Sequence, residues 1–250
     1  GASGIGRDTC LALARDGADV VVADFNIDGA QAVAAEVQAL GRRAHAFKVD
    51  VSTPEDVSAL VDFAVEKLGT LTGIFNNAGI GDVVPFLELD PEKYAKVVNV
   101  DQHGVYYGIL YAARKMVALG VQGTIVNTAS IYGSIASKGN FHYNAAKAAV
   151  VSMSRSGALE LAEHNIRVVG VAPGYIETPM MGDDKALKAG WAAQHMRGKL
   201  ILVTGVAIGY VLGAKAGRER YEQIKKGASR LWNDPRVQGP VQQAEDFGIE

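Results

Sequence analysis

The chain has 250 residues, of which 48% are hydrophobic and 21% charged, and its formal net charge is −2. That balance excludes a disordered chain, gives no global pull toward nucleic acid, and leaves room for one large core. Cys10 is the single cysteine, which excludes an intrachain disulfide scaffold and points to a reducing, cytoplasmic setting.

The chain opens on Gly1-Ala2-Ser3-Gly4-Ile5-Gly6, a glycine-rich turn with neither a strand nor a signal-peptide pattern before it, so a truncated N-terminus is expected. A β-branched run at 18–23 predicts a strand buried on both faces. Residues 28–40 read as a helix, with Ala32, Val33, Val37 and Leu40 on one face and Gly41 as its stop. A strand over 44–49 precedes a helix that Pro54 opens and that runs to about residue 68. The strand at 73–75 leads into Asn76-Asn77-Ala78-Gly79. A longer helix over 92–119, a strand over 124–127, a helix over 141–163 and a strand over 166–171 follow, the last ended by Pro173-Gly174. Strands alternating with helices of this length imply parallel βαβ units with helices on both sheet faces, a Rossmann-like doubly wound α/β fold.

A glycine turn at a helix start suits a pyrophosphate, because the backbone can approach closely and the helix end offers free N–H groups. An ordinary loop–helix junction would look the same. Asp24, at the end of the next strand and 18 residues after Gly6, adds a carboxylate able to accept from ribose hydroxyls. Phe25, Asn26 and Ile27 follow it with no basic residue, which favours NAD over NADP. Tyr143 and Lys147 stand four apart on a predicted helix and so share a face. Tyrosine is a poor base at its free pKa of ~10. A lysine one turn away stabilises the phenolate, and Tyr143 could then exchange a proton with a substrate oxygen. Ser130, at a strand end, could hold that same oxygen. His45, His103, His164 and His195 show no metal-ligand spacing, and no metal is expected; His142 reads as a packing or surface residue.

These residues together resemble the short-chain dehydrogenases/reductases over residues 1–200. The likeness rests on the partial glycine turn, Asp50-Val51, Asn76-Asn77-Ala78-Gly79, Asn99, Ser130, Tyr143-x-x-x-Lys147 and Pro173-Gly174-x-Ile176-x-Thr178. It implies Tyr143 as acid/base, Ser130 as substrate anchor, and Lys147 as both partner of Tyr143 and ligand of the nicotinamide ribose. By the same resemblance Asn99 would hold a water that relays protons from Lys147. Asp50 and Val51 would contact adenine, and Asn77, Ala78 and Gly79 would line the cofactor cleft. Ile176 and Thr178, with Pro173 and Gly174, would meet the carboxamide end. Family members also form dimers and tetramers through their long helices, so Val105, Ile109, Val150 and Met153 are expected to be covered by a partner.

Two departures stand out. The family's first strand and the opening Thr-Gly of its fingerprint are absent ahead of Gly1, so the sheet is expected to be incomplete at both ends. Beyond Ile201 the resemblance stops. Residues 1–198 read as a truncated NAD-binding domain and 199–250 as a hydrophobic glycine-repeat segment with a basic helical tail. Residues 196–250 carry a net charge of +3, against −5 for the remainder. The uncharged run 200–214 and the four-residue spacing of Gly205, Gly209, Gly213 and Gly217 resemble small bacterial glycine-zipper membrane proteins. A fusion, a membrane contact through 200–214, and a permuted first strand at 199–205 remain open readings of this segment. The function expected is an NAD(P)-dependent oxidoreductase that interconverts a small secondary alcohol and a ketone. The alternative is a catalytically impaired nucleotide-fold remnant on a membrane-associated tail.

Overall fold

The computed structural model describes residues 1–182 and 201–202. Helix α1 (Gly4–Arg15) leads to strand β1 (Val20–Asp24), helix α2 (Ile27–Ala39) and strand β2 (Ala44–Lys48). Helix α3 (Pro54–Leu68) has Pro54 at its first turn beside Glu55 and Asp56, Lys67 in its last turn, and Gly69 at φ +85° as its left-handed stop. Each of these features favours helix at its position. Strand β3 (Gly73–Asn76) follows. The segment expected as one helix over 92–119 is helix α4 (Pro91–Val98), a π-helical turn at Asn99–His103, and helix α5 (Gly104–Leu119). Strand β4 (Gly123–Thr128), helix α6 (Phe141–Glu160), strand β5 (Ile166–Val171) and the short strand β6 (Ile176–Glu177) complete the continuous part; strand β7 (Ile201–Leu202) pairs with β6.

All ladders are parallel, and the fold is Rossmann-like α/β. β1 pairs with β2, while β4 lies between β3 and β5; no ladder joins β1 to β3 among the described residues. α1 and α2 cover β1 and β2 through Leu11, Ala14, Val20, Val22, Val33 and Val37. α3 and α5 cover β3–β5 through Val61, Ala112, Met116, Ile125 and Ile166, and Val21 of β1 reaches into this second cluster.

Two expectations need correction. Val105 and Val150 are buried inside the chain, in a cluster against which the half-buried Ile109 and Met153 also pack, so intrachain contacts already cover Val105 and Val150. α5 and α6 meet each other with these faces, and the larger apolar side chains that α5 exposes are Tyr106, Val117 and Leu119. Ile201 and Leu202 pair with Ile176 and Glu177, not beside β1 as a permuted first strand would. The rest of the glycine-repeat run and the basic tail lie outside the described residues. Among those described, no helix is long and apolar enough to cross a membrane.

Candidate active site

The carboxyl ends of β1, β3, β4 and β5 deliver the polar side chains, as expected for an open parallel sheet. A buried chain of hydrogen bonds ties these elements together. Asn76 Nδ2 donates to Asn127 Oδ1 at 2.9 Å, Asn127 Nδ2 to Ser154 Oγ at 3.0 Å, and Ser154 Oγ to the Val150 carbonyl at 2.8 Å. Beyond β4, Ala129 N–H donates to the Val171 carbonyl and Ile131 N–H to the Pro173 carbonyl, which fixes Ser130 between two strand ends.

Tyr143 and Lys147 come from the first two turns of α6. Lys147 is 2% exposed, and its Nζ lies 3.0 Å from the Thr128 carbonyl, 3.1 Å from Asp101 Oδ2 and 5.5 Å from the centre of the Tyr143 ring. Burial pushes the Tyr143 hydroxyl above its ordinary value; the Lys147 charge opposes this, Asp101 reinforces it, and a hydrogen bond from Ser130 favours the phenolate. The structure thus brings Ser130, Tyr143 and Lys147 together. It does not bring Asn99 to them. Asn99 is exposed, and its Oδ1 lies 3.1 Å from His103 Nδ1 within the π turn. The buried residue facing Lys147 from that turn is Asp101, which the sequence reading missed.

His142 is fully buried, with Nε2 2.7 Å from Asp82 Oδ1. Tyr132 and Tyr175 join hydroxyls at 2.5 Å, and the Tyr132 ring meets both Tyr143 and Tyr175 edge-on. Burial, then the hydrogen bond with Tyr132, pushes the Tyr175 hydroxyl up. The three rings form an aromatic wall beside Ser130. Its members lie on separate loops and helices, and only Tyr143 carries a spacing signal.

The glycine turn faces the same region. A Cβ at Gly4, where φ is +51°, would lie 3.3 Å from the Thr178 side chain, and a Cβ at Gly6 would lie 3.0 Å from Asn77 Nδ2. Gly79 permits a close approach of the same kind: a Cβ there would lie 2.9 Å from Asp101 Oδ2 and 3.3 Å from Lys147 Nζ. Ile5 is half-buried, while Ser3 precedes α1 exposed and makes no side-chain cap. The glycines thus let the start of α1 pack against Asn77 and Thr178, and a glycine-rich helix N-terminus is chemically suited to the phosphates of a dinucleotide. Asp24 Oδ2 accepts from the Gly1 nitrogen and the Ala2 N–H, each at 2.8 Å, and Oδ1 from the Asn26 N–H. Burial raises the Asp24 carboxyl, but those donors outweigh it and hold it below the usual range. Asn77 Oδ1 accepts from the Thr128 hydroxyl, Ala78 is exposed, and Ile176 is buried. Pro173 and Gly174 are half-buried beside the Ile131 N–H. Asp50 turns inward on its own loop, with Oδ1 accepting from the Ser52 N–H and hydroxyl, and Val51 packs against Gly104 of α5.

The short chain dehydrogenase family profile matches residues 1–188. The chain is 44% identical over 182 residues to the cyclohexanol dehydrogenase of Acinetobacter sp. strain SE19, a match covering 72% of each protein. It is 39% identical over 201 residues to the cis-4-hydroxycyclohexanecarboxylate dehydrogenase of Sinomonas cyclohexanicum, covering 80% of each. Among solved structures, a short-chain type dehydrogenase/reductase from Mycobacterium marinum superposes with a TM-score of 0.81 at 34% identity, covering 84% of this chain and 83% of that one.

Proposed function

The chain belongs to the short-chain dehydrogenase family and is an oxidoreductase that uses NAD(P), and on that premise we propose that it interconverts a small cyclic secondary alcohol and its ketone, with NAD as the preferred cofactor. The observation that carries the catalytic reading is the Lys147 ammonium, buried between Asp101 and the Thr128 carbonyl and 5.5 Å from the Tyr143 ring. In alcohol oxidation the Tyr143 oxygen takes the hydroxyl proton, and in ketone reduction it returns one to the carbonyl oxygen. Ser130 Oγ holds the same substrate oxygen and orients its carbon. Lys147 favours the phenolate form of Tyr143 by its charge. The wall of Tyr132, Tyr143 and Tyr175 offers ring edges and faces to an apolar cyclic substrate. That substrate class also accords with the names of the cyclohexanol and hydroxycyclohexanecarboxylate dehydrogenases.

A bound nicotinamide dinucleotide would supply the hydride acceptor or donor. Ser3, Gly4, Ile5 and Gly6 would hold its phosphates, Asp50 and Val51 would border its adenine, and Asn77, Ala78 and Gly79 would line its cleft. Pro173, Gly174, Ile176 and Thr178 would border its carboxamide. Asp24 would accept from ribose hydroxyls and repel a 2′-phosphate, which is the ground for preferring NAD.

The test is a panel of secondary alcohols, cyclohexanol included, assayed with each cofactor by the absorbance of the reduced nicotinamide. The expected result is turnover of cyclic alcohols with NAD. Tyr143→Phe should lower kcat by about 10²-fold or more while leaving cofactor affinity unchanged, since positioned proton transfer contributes ~10²–10⁴-fold. More than about a tenth of the activity retained would remove Tyr143 from this role. A second reading, a catalytically impaired nucleotide fold, is favoured by one feature: no ladder joins β1 to β3 among the described residues. Calorimetry with the whole chain separates the two, because an impaired fold would bind neither NAD nor NADP.

A further inference from the structure

Asp101 has no role in the chemistry derived above, yet it is fully buried at the centre of the π-helical turn. Such turns are costly and occur frequently at functional sites. Here the turn divides its residues: Asn99 faces solvent, whereas Asp101 reaches the interior. Asp101 Oδ1 accepts the Ile80 N–H at 2.8 Å, and Oδ2 lies 3.1 Å from Lys147 Nζ. Gly79 passes so close that any Cβ would collide with the carboxylate. A buried charge persists only when it is paired and hydrogen-bonded, and both conditions hold for Asp101. The Lys147 ammonium is thereby held by an ion pair with Asp101 and by a hydrogen bond to the Thr128 carbonyl.

We propose that Asp101 is a positioning residue of the active site: its carboxylate clamps the Lys147 ammonium against Thr128 and, standing behind that ammonium, weakens its pull on the Tyr143 phenolate. The inference rests on the reading of Tyr143 as the acid/base. An isolated lysine charge would act on Tyr143 as a monopole; an ion pair acts as a dipole, whose effect is smaller. The groups acting on Tyr143 are Lys147 on its own helix, Asp101 on the π turn, and Ser130 and Tyr132 after β4, and the two acting in opposition across the site are Lys147 and Asp101. Those acting on Asp101 are Lys147, the Ile80 N–H and His142, the last held by Asp82. Burial pushes the Asp101 carboxyl up, and these three partners favour its charged form. The consequence is a site whose base form is reached at higher pH than with a neutral residue at position 101.

The test is carbon NMR of the whole chain carrying tyrosine labelled at Cζ, with the Tyr143 resonance identified by its loss in Tyr143→Phe. In Asp101→Asn the Tyr143 titration should move down by about one pH unit, the size of effect that a nearby charge exerts. Asp101→Glu, which keeps the charge, should restore the original curve, an outcome that a purely structural role for the residue would not produce. The pH profile of kcat/KM for alcohol oxidation should move in the same direction. An unchanged Tyr143 titration in Asp101→Asn overturns the proposal. Should that variant not fold, Asp101→Ser, a smaller uncharged replacement, is read the same way. The sequentially assigned Asp101 carboxyl of the unaltered chain gives a further reading, and a protonated carboxyl across neutral pH overturns the proposal without any variant. Because the NMR titration needs no turnover, its result stands apart from that of Tyr143→Phe, where retained activity would refute the acid/base reading instead.

Discussion

As the proposed acid/base, Tyr143 is a weak acid that its surroundings make weaker. Burial raises its pKa, and the Lys147 charge recovers part of that rise. Oxidation requires the phenolate, so its kcat/KM should climb with pH through the alkaline range. Reduction requires the phenol and should be flat at neutral pH, declining only where oxidation peaks. Initial rates in both directions across pH check this, and an oxidation rate that levels off near neutrality would contradict it. Asp24 sets a second expectation at the same scale. Its carboxylate already collects three donors at the mouth of the glycine turn. On the proposed reading, Asp24→Ala would remove both an acceptor for ribose hydroxyls and a charge that repels a 2′-phosphate. The ratio of kcat/KM for NAD over NADP should fall by about tenfold or more, in line with the loss of a hydrogen bond to a charged group. An unchanged ratio would make Asp24 a structural residue of the turn.

Among the elements, the junction of β3, β4 and α6 is held by polar as well as apolar contacts. Asn127 is fully buried and bonds both Asn76 and Ser154, so one side chain spans two strands and a helix. Asn127→Ala would leave the partner groups of Asn76 and Ser154 without this bridge and open a small void. The expected cost is about 2 kcal/mol, typical of stranding buried polar groups, measured as a lower urea midpoint. A loss below about 0.5 kcal/mol would mean that the neighbours find other partners. α4, the π turn and α5 illustrate how an element can be identified while its register escapes notice. The apolar pattern over 92–119 identifies a long helix, and the structure has helical backbone throughout. The wider turn at Asn99–His103, which decides which side chains face α6, leaves no mark in that pattern.

At the scale of the whole molecule, the described sheet falls into a two-stranded and a three-stranded section, plus the short β6–β7 pair. Among the described residues β4 has ladders on both sides, whereas β1 has one. In native-state hydrogen exchange, amides of Ile125, Val126 and Asn127 should therefore be the most protected, and those of β1 should open at distinctly lower free energy. Equal protection of β1 and β4 would mean that a further strand covers the free side of β1. The alternation of strands and helices was legible in the sequence, because apolar periodicity, Pro54 at a helix start and glycine stops are local properties. The set of Ser130, Tyr143 and Lys147 was legible through its resemblance to the short-chain dehydrogenases, since a one-turn Tyr–Lys spacing by itself reads as a surface pair. Asp101 was not legible: an acid on a helix reads as a solvated face, and its burial depends on α6 packing against the π turn. The meeting of Tyr132 with Tyr175 and of His142 with Asp82 escaped for the same reason. Those pairs are 43 and 60 residues apart, and such contacts exist only once the parallel strands have brought distant loops to the same end of the sheet.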